Sequence, residues 1–348
     1  MSSKKPRVMS GMRTTNRLHI GNYFGALKNW IELQKDYECF FGAMNWHALT
    51  DAYKEPEVFK KYNRDIITDW IAFGIDPEKS VIFIQSEIPE LMELNMLFTM
   101  ITPLPWLDRV TTWKDSIDDL KKKDVCNLGR YAYPVLQAAD ISIFRGEIVP
   151  VGPDQVPHLE LAREIVRRLN HLYKLKIPEP RALLTTNKSK EAEQKDPTKT
   201  GAGNELVILG TDGRKMSKSY NNFVPLLDEP ENIEKICMKM QTDPARVTRT
   251  DPGNPDICPE FSFHKLFSKL EDRKEIDNNC RKALFGCGDC KKWLARNINA
   301  FMAGPLEKRK EFLNNPRQLD EIIENGCTRA REEGVKTLDE IYSGMGWK

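Results

Sequence analysis

The sequence predicts an α/β fold, a Rossmann-type, doubly wound parallel sheet followed by a C-terminal helical domain. Three observations predict it. Short apolar runs alternate with helix-periodic segments through the first two hundred residues. Runs such as 39–44 and 81–84 are apolar without alternation, as strands covered on both faces should be. After about residue 226 the strand patterns stop, and helical periodicity continues to the end.

The elements follow in order. Residues 7–9 open an apolar strand that ends at Ser10-Gly11. Ile20, Phe24, Leu27 and Ile31 then recur at helical spacing. Residues 39–44 read as a buried strand. Val58, Tyr62, Ile66 and Trp70 mark the next helix, with Gly74 where a left-handed C-cap belongs. A strand at 80–85 precedes a helix at 91–101. Pro134 suits the first turn of a helix reaching Phe144, because its missing N–H needs no partner there. A short strand at 148–151, a helix from 154 to 169 and a final strand at 205–210 complete the pattern. The stretch 185–203 is polar, has no apolar period, and predicts a flexible surface insertion.

Composition bounds the function. A chain of 348 residues, 40% of them hydrophobic, can bury a sizeable core and suggests two domains, 1–225 and 226–348. The formal charge of +2 excludes a polybasic coat, so nucleic acid would have to meet local patches. One such patch is residues 281–317, with nine Lys/Arg against three Asp/Glu. No apolar run approaches the ~20 residues that span a bilayer, so no membrane partner is expected. The basic start MSSKKPR lacks an apolar core like that of a signal peptide, so a cytoplasmic location is expected.

Two strings carry phosphate chemistry. His19-Ile20-Gly21-Asn22 follows a strand and opens a helix, whose unpaired N–H groups suit a phosphate. Gly21 lets a nucleotide approach the backbone, and His19 and Asn22 can donate to phosphate oxygens. Lys215-Met216-Ser217-Lys218-Ser219 follows a turn and offers two ammonium groups to a triphosphate. Taken singly, the first string could be a helix cap and the second a solvated turn.

Together they resemble the paired HIGH and KMSKS signatures of class I aminoacyl-tRNA synthetases, here HIGN and an unsubstituted KMSKS. The resemblance implies in-line attack of an amino acid carboxylate on the α-phosphorus of ATP, then transfer of the aminoacyl group to a tRNA 3′ end. Catalysis is then positioning and charge stabilisation, with no enzyme nucleophile. His19 and Asn22 would serve the phosphate oxygens, and Lys215, Lys218 and Ser219 the leaving pyrophosphate. Magnesium is expected with ATP, without a dedicated carboxylate cage.

Further strings concern the amino acid. YPVLQAAD, VGPDQ with HLELAREI, SGMRTTNRLHIGNYFGAL and NWHALT resemble the tryptophanyl-tRNA synthetase family, over residues 10–219. An indole has one N–H donor, and a carboxylate such as Asp140 can accept it. The resemblance places Tyr133 and Gln155 at the amino group and His47, Gln137 and Gly11 in the pocket. It assigns Gly152 and Asp154 to the ATP ribose, Arg13 and Thr15 to a loop over the nucleotide, and Gly21, Asn22, Leu206, Met216 and Ser217 to further ATP contacts. It also implies a homodimer, L-tryptophan and tRNA(Trp). Gln137 departs from the methionine common in this family and occurs in tyrosyl enzymes, so a tyrosyl-like activity stays open. Another nucleotidyltransferase sharing the HIGH-type site is a second alternative. As bland alternatives, Asp140 could pair with Arg145, and His47 could be a satisfied core residue.

Cys258, Cys280, Cys287 and Cys290 follow C-x21-C-x6-C-x2-C. Four thiolates suit zinc or an iron–sulfur cluster, and spacing does not choose between them. GCGDCKKWL and TDPARVTRTDPGNPDICP resemble the subset of tryptophanyl enzymes that carries a 4Fe-4S cluster in an anticodon-binding helical domain. Cys39, Cys126, Cys237 and Cys327 read as ordinary buried residues.

Overall fold

Strands β1 (Arg7–Arg13), β2 (Glu38–Met44), β3 (Ser80–Ile84), β4 (Ile148–Val151) and β5 (Arg181–Leu184) make one sheet in the order β3-β2-β1-β4-β5, every pairing parallel. The computed structural model describes residues 5–110, 126–184 and 208–348. β2 is buried almost end to end, so its successive side chains feed both faces. Phe41 stacks on Trp30 at 4.5 Å between ring centroids, and Trp30 meets Trp70 edge-on. Phe40 points the other way and stacks on Phe144 at 4.9 Å. This two-sided burial is the physical content of the doubly wound sheet predicted from the apolar runs.

The helices are α1 (Ile20–Asn22), α2 (Lys28–Leu33), α3 (Asn45–Ala52), α4 (Val58–Phe73), α5 (Pro89–Ile101), α6 (Leu104–Asp108), α7 (Leu128–Ile143), α8 (Val156–Tyr173), α9 (Pro230–Met238), α10 (Pro259–Phe267), α11 (Leu270–Arg281), α12 (Cys287–Asn314) and α13 (Pro316–Met345). Gly74 ends α4 with φ of +116°, the left-handed cap expected from its position. Two compact units hold these elements. One is Met1–Arg17, Asn29–Thr185 and Phe312–Lys348; the other is Leu18–Lys28 and Thr186–Glu311.

Several boundaries differ from the sequence reading. β1 runs on through Ser10 and Gly11 to Arg13, because each of those residues pairs with β2. The strand at 181–184 carries only the short string RALL, mostly exposed at a sheet edge, and gives little apolar signal. Of the strand expected at 205–210, residues 205–207 lie outside the described residues, and Leu209 forms only an isolated bridge with Lys215. α7 begins six residues before Pro134, capped by the Asn127 side chain accepting from the Arg130 N–H. The helix expected from 154 opens as a 3-10 turn, Pro153–Gln155. The helix expected after residue 20 contains a π-helical segment, Tyr23–Leu27. The insertion at 185–203 lies outside the described residues.

The compact units also depart from a division at 225/226. The final helix, α13, belongs with the sheet: Gly326 lies against β3, and a Cβ there would sit 1.9 Å from the Ile82 carbonyl oxygen. Arg7 of β1, almost fully buried, ion-pairs with Glu38 at 3.0 Å and with Glu333 of α13 at 2.6 Å. Arg331 reaches the buried Glu90 of α5 at 3.0 Å. A Gly326→Ala exchange meets a backbone carbonyl that cannot retreat without disturbing the sheet. Overpacking of about 1–3 kcal/mol then outweighs the gain of up to ~1 kcal/mol in helix propensity. A fall in the urea unfolding midpoint is expected; a rise would contradict the close approach.

The second unit is helical. Tyr23, Phe24, Phe267 and Phe301 form an aromatic cluster with centroid separations from 5.0 to 6.3 Å, joining the first helical segment to α10 and α12. Among the described residues, no helix is long and apolar enough to cross a membrane.

Candidate active site

In the sheet unit, strand order reverses at β1 and β4, and ligands of such sheets bind beyond the carboxyl ends there. Four chain turns converge at these ends. Arg13 closes β1 and ion-pairs with Asp51 of α3. His47 lies on α3, directly after β2. Gln85 follows β3 and is fully buried. Gly152, Asp154 and Gln155 follow β4. A Cβ on Gly152 would come within 2.7 Å of Asp154 Oδ1.

Asp140, on the buried face of α7, is only 2% exposed. Its Oδ2 lies 2.7 Å from His47 Nε2, and its Oδ1 accepts from Gln85 Nε2 at 2.7 Å. Since a carboxylate only accepts, Nε2 of His47 carries the proton. Gln85 is held in turn: its Oε1 accepts from the backbone N–H of Trp46 at 3.0 Å and of His47 at 3.4 Å. The carboxylate is thus fixed by two donors, and each oxygen keeps acceptor capacity. The alternative pairing with Arg145 is not what the structure has; Arg145 pairs with Glu340 at 2.5 Å. His47 is indeed satisfied, but by Asp140.

Beside this pair lies a second relay. Tyr133 Oη is 2.6 Å from His158 Nε2, and His158 Nδ1 is 2.9 Å from Gln155 Oε1. The Gln155 carbonyl oxygen can only accept, so Nδ1–H donates to it. Nε2 is then the lone pair that accepts the Tyr133 proton. A hydroxyl that donates in this way still has acceptor capacity. Gln155 Nε2 donates to Asp154 at 2.8 Å. Gln137 Oε1 is buried without a hydrogen-bond partner among the described residues. A cavity of ≈ 440 Å³ lies against Tyr133 and is lined mainly by apolar groups, among them Trp46, Leu49, Met92 and Leu136.

Burial holds His158 at about 4, against an ordinary 6.5. Below pH 6.5 the unfolded chain therefore takes up a proton that the folded chain refuses. Stability is lost progressively as pH falls from about 6.5 to about 4, and this group contributes nothing above that window. The 6.5-to-4 difference corresponds to at most about 3 kcal/mol. His158→Gln should flatten that part of the pH–stability curve. Unfolding midpoints at pH 7 and pH 4.5 that differ as much as in the parent would refute this.

The two phosphate strings both fall in the helical unit. His19 caps α1 in an extended conformation and donates its N–H to Asn22 Oδ1 at 3.0 Å. The tip is pinned by Ile20 N–H donating to Val224 O at 3.0 Å and Leu226 N–H to Leu18 O at 2.8 Å. Asn222, two residues before Val224, accepts from Ser217 N–H, so residues 222–226 hold both strings. Met216 is buried and lies under Gly21, where a Cβ would stand 3.6 Å from its sulfur. Burial and then the Lys218 charge hold His19 at about 4, so its imidazole is neutral at pH 7. Nδ1 of His19 is buried without a partner among the described residues. Asn222 organises the loop: its Oδ1 accepts from Ser217 N–H at 2.8 Å, and its Nδ2 donates to Asp212 at 2.7 Å.

The family of tRNA synthetases class I (W and Y) matches residues 1–303 of this sequence. The chain belongs to that family. Among relatives of this class I synthetase, the tryptophan–tRNA ligase of Thermotoga maritima is 44% identical, over 97% of this chain and 98% of its own. That of Aquifex aeolicus is 39% identical, over 97% and 99%. A crystal structure of the Campylobacter jejuni tryptophanyl-tRNA synthetase, complexed with ADP and tryptophan, has a TM-score of 0.85 at 33% identity, covering 98% of this chain and 99% of that one.

Within the synthetase, the sequence-predicted residues thus gather as two groups. Asp140, His47, Tyr133, Gln155, Gly152, Asp154 and Arg13 meet at the carboxyl ends of the strands. Gly11 lies in β1 opposite Gly42, and Thr15 lies two residues beyond the strand. His19, Gly21, Asn22, Lys215, Met216, Ser217 and Lys218 share the helical unit, as does the backbone of Ser219. Leu206 lies outside the described residues. Gln85, His158 and Asn222 had not been singled out. The only signal for them is a buried polar residue at a strand end, in a helix stripe or after a motif.

Cys258 precedes α10, Cys280 lies in α11, and Cys287 and Cys290 open α12. All four are partly buried, whereas Cys126 is exposed, unlike the buried Cys39, Cys237 and Cys327. Burial pushes Cys258 up to about 11 and raises Cys280 and Cys290 as well; the Glu260 carboxylate and then Cys258 and Cys280 add to the rise at Cys290, and Cys287 adds to that at Cys280. Arg246 Nη1 donates to Cys280 Sγ at 3.6 Å. Thiols whose ionisation is opposed by burial and by neighbouring anions suit a bound metal, whose charge would stabilise the thiolates. Among the described residues, however, the group of potential metal donors within 4.8 Å of one another joins Cys290 to Glu260 and His264 rather than to the other three cysteines.

Proposed function

We propose that this chain is a tryptophan–tRNA ligase: it activates L-tryptophan with Mg2+-bound ATP to tryptophanyl-adenylate and transfers the acyl group to the 3′ end of tRNA(Trp). The observation that carries this reading is the convergence of HIGN and KMSKS on one segment, with the Lys218 charge felt at His19. The full-length relatives named for tryptophan support the substrate.

In this reading a neutral His19, with Asn22, donates to α-phosphate oxygens as negative charge grows there. Lys215, Lys218 and Ser219 stabilise the departing pyrophosphate. Gly21, Met216, Ser217 and Leu206 border the nucleotide, with Arg13, Thr15, Gly152 and Asp154 serving the ribose and covering loop. Tyr133, its proton committed to His158, accepts from the substrate ammonium, with Gln155 alongside. Asp140 accepts the indole N–H, and His47, Gln137 and Gly11 shape the pocket. Amino-acid-dependent ATP–pyrophosphate exchange tests the assignment. Exchange with tryptophan is expected, and exchange with tyrosine instead would overturn it.

The finer readings follow the same logic. Cys258, Cys280, Cys287 and Cys290 would hold a 4Fe-4S cluster, or Zn2+ in its place, and brown colour in anaerobically purified protein distinguishes them. When bound, the group would cross-link α10, α11 and α12. The nine cations of 281–317 would meet the tRNA backbone, with affinity falling as salt rises. Residues 1–225 would serve in catalysis and 226–348 in binding the anticodon, functional stretches that do not coincide with the two compact units, in the cytoplasm. A homodimer is supported by exposed apolar side chains, among them Met96 and Met100 four residues apart on α5, Leu104 of α6 and Leu128 of α7.

A further inference from the structure

Three donor atoms of different chemistry meet in the helical unit. Glu260 and His264 stand four residues apart on α10 and therefore share a face. Cys290 lies in the first turn of α12. The carboxylate oxygen, the imidazole nitrogen and the thiol sulfur all lie within 4.8 Å of one another. His264 is wholly buried and Glu260 is 1% exposed. His264 Nε2 is 3.4 Å from Cys290 Sγ and 4.0 Å from Glu260 Oε1.

Two features set this group apart from ordinary core. Glu260 Oε1 is buried and receives no N–H or O–H hydrogen bond among the described residues, its polar neighbours being the weak-donor thiol of Cys290 and, at 4.0 Å, His264 Nε2. A buried, unsatisfied carboxylate oxygen is costly and calls for a missing partner. The far nitrogen of His264 is also anchored. Nδ1 lies 2.7 Å from Ser268 Oγ, which itself accepts from Asn297 Nδ2 at 2.8 Å. Such an outer hydrogen bond fixes the ring with Nε2 facing inward, as in metal-ligating histidines.

The donor chemistry selects the ion. One oxygen, one imidazole nitrogen and one sulfur suit a borderline cation such as Zn2+. Ca2+ and Mg2+ demand oxygen-rich shells. We propose that Glu260, His264 and Cys290 form a mixed-donor site for a single zinc-class divalent cation, overlapping the four-cysteine set at Cys290 and occupied when that set carries no cluster. Uptake forms a metal–sulfur bond at Cys290, and the thiol proton leaves to solvent. The two modes exclude each other because they share this sulfur.

The test uses the full-length chain, stripped of metal by chelation and titrated anaerobically with Co2+, a spectroscopic stand-in for Zn2+. Because the four-cysteine set could itself take Co2+, the titration is made on the full-length chain with Cys258, Cys280 and Cys287 all replaced by Ser. A single Co2+ with a thiolate charge-transfer band is expected there. In that background Cys290→Ser should abolish the band, and Glu260→Gln and His264→Asn should each weaken Co2+ binding by about tenfold or more. Circular dichroism and thermal melting check the fold, and if one donor variant fails to fold, the other decides. Undiminished Co2+ affinity in a folded donor variant, or no Co2+ binding by the triple-cysteine variant, would overturn the proposal. Iron and sulfide reconstitution reads the four-cysteine assignment separately. That assignment requires the cluster to form in the Glu260 and His264 variants that keep all four cysteines and to fail in the triple variant.

Discussion

Replacing Lys218 by alanine should lower the rate of adenylate formation by ~10²–10³-fold, equivalent to about 3–4 kcal/mol of transition-state stabilisation, while the dissociation constant for tryptophan changes little. The ammonium group of Lys218 belongs to the same compact unit as His19, and its positive charge helps to keep the imidazole neutral. In the proposed function a bound triphosphate gives the Lys218 ammonium an anionic partner. Charge on the leaving pyrophosphate grows as the bond to the α-phosphorus breaks, so a fixed cation acts more on the transition state than on the ground state. In the proposed function tryptophan binds through Tyr133, Gln155 and Asp140 of the sheet unit and should not sense the loss. Pre-steady-state adenylate formation and tryptophan binding by equilibrium dialysis separate the two effects. A parent-like rate of adenylate formation in the variant would remove Lys218 from the chemistry. Lys218→Arg, which keeps the charge but changes its reach, should recover part of the rate.

How much of this was legible in the sequence varies element by element, for physical reasons. α4 could be read because its apolar stripe is regular and Gly74 supplies a conformation that other residues adopt only with strain. β2 and β3 could be read because burial on both faces leaves an unbroken apolar run. β5 was missed because a four-residue edge strand with exposed side chains carries no such run. The start of α7 was misplaced because Pro134, tolerated inside the helix, resembles a first-turn proline. The placement of α13 on β3 depends on Gly326, and nothing local says what a helical glycine will touch. In the site, residues within a motif could be named from the string. Gln85 and His158 act on Asp140 and on Tyr133 from distant positions, and only folding brings them there. The Glu260–His264–Cys290 group had the same obstacle: its members are ordinary helix residues until α10 meets α12.

Asp140→Asn should reduce kcat/KM for tryptophan by ~10²-fold, about 3 kcal/mol, the upper range for a hydrogen bond to a charged group, while leaving the weak activity toward phenylalanine unchanged. The substitution preserves shape, and the surrounding hydrogen bonds fix how the new amide must sit. Gln85 cannot turn over, because its Oε1 is held by the N–H groups of Trp46 and His47. Its Nε2 therefore still demands an acceptor, and the Asn oxygen must face it. The Asn NH2 then faces His47, which can accept by moving its proton to Nδ1. Folding is accommodated by that tautomer change, and what is lost is the negative charge offered to the indole N–H. Phenylalanine has no such donor and gains nothing from the carboxylate, so discrimination should fall by the same factor as tryptophan activity. Asp140→Ala is the harsher comparison, since it strands both His47 and Gln85 without an acceptor and should lower stability as well. Pyrophosphate exchange with both amino acids, alongside thermal melting of both variants, separates recognition from folding. An Asp140→Asn enzyme that still prefers tryptophan by the parent's margin would show that another acceptor reads the indole, and Gln137, whose buried Oε1 has no partner among the described residues, would be the next residue to test.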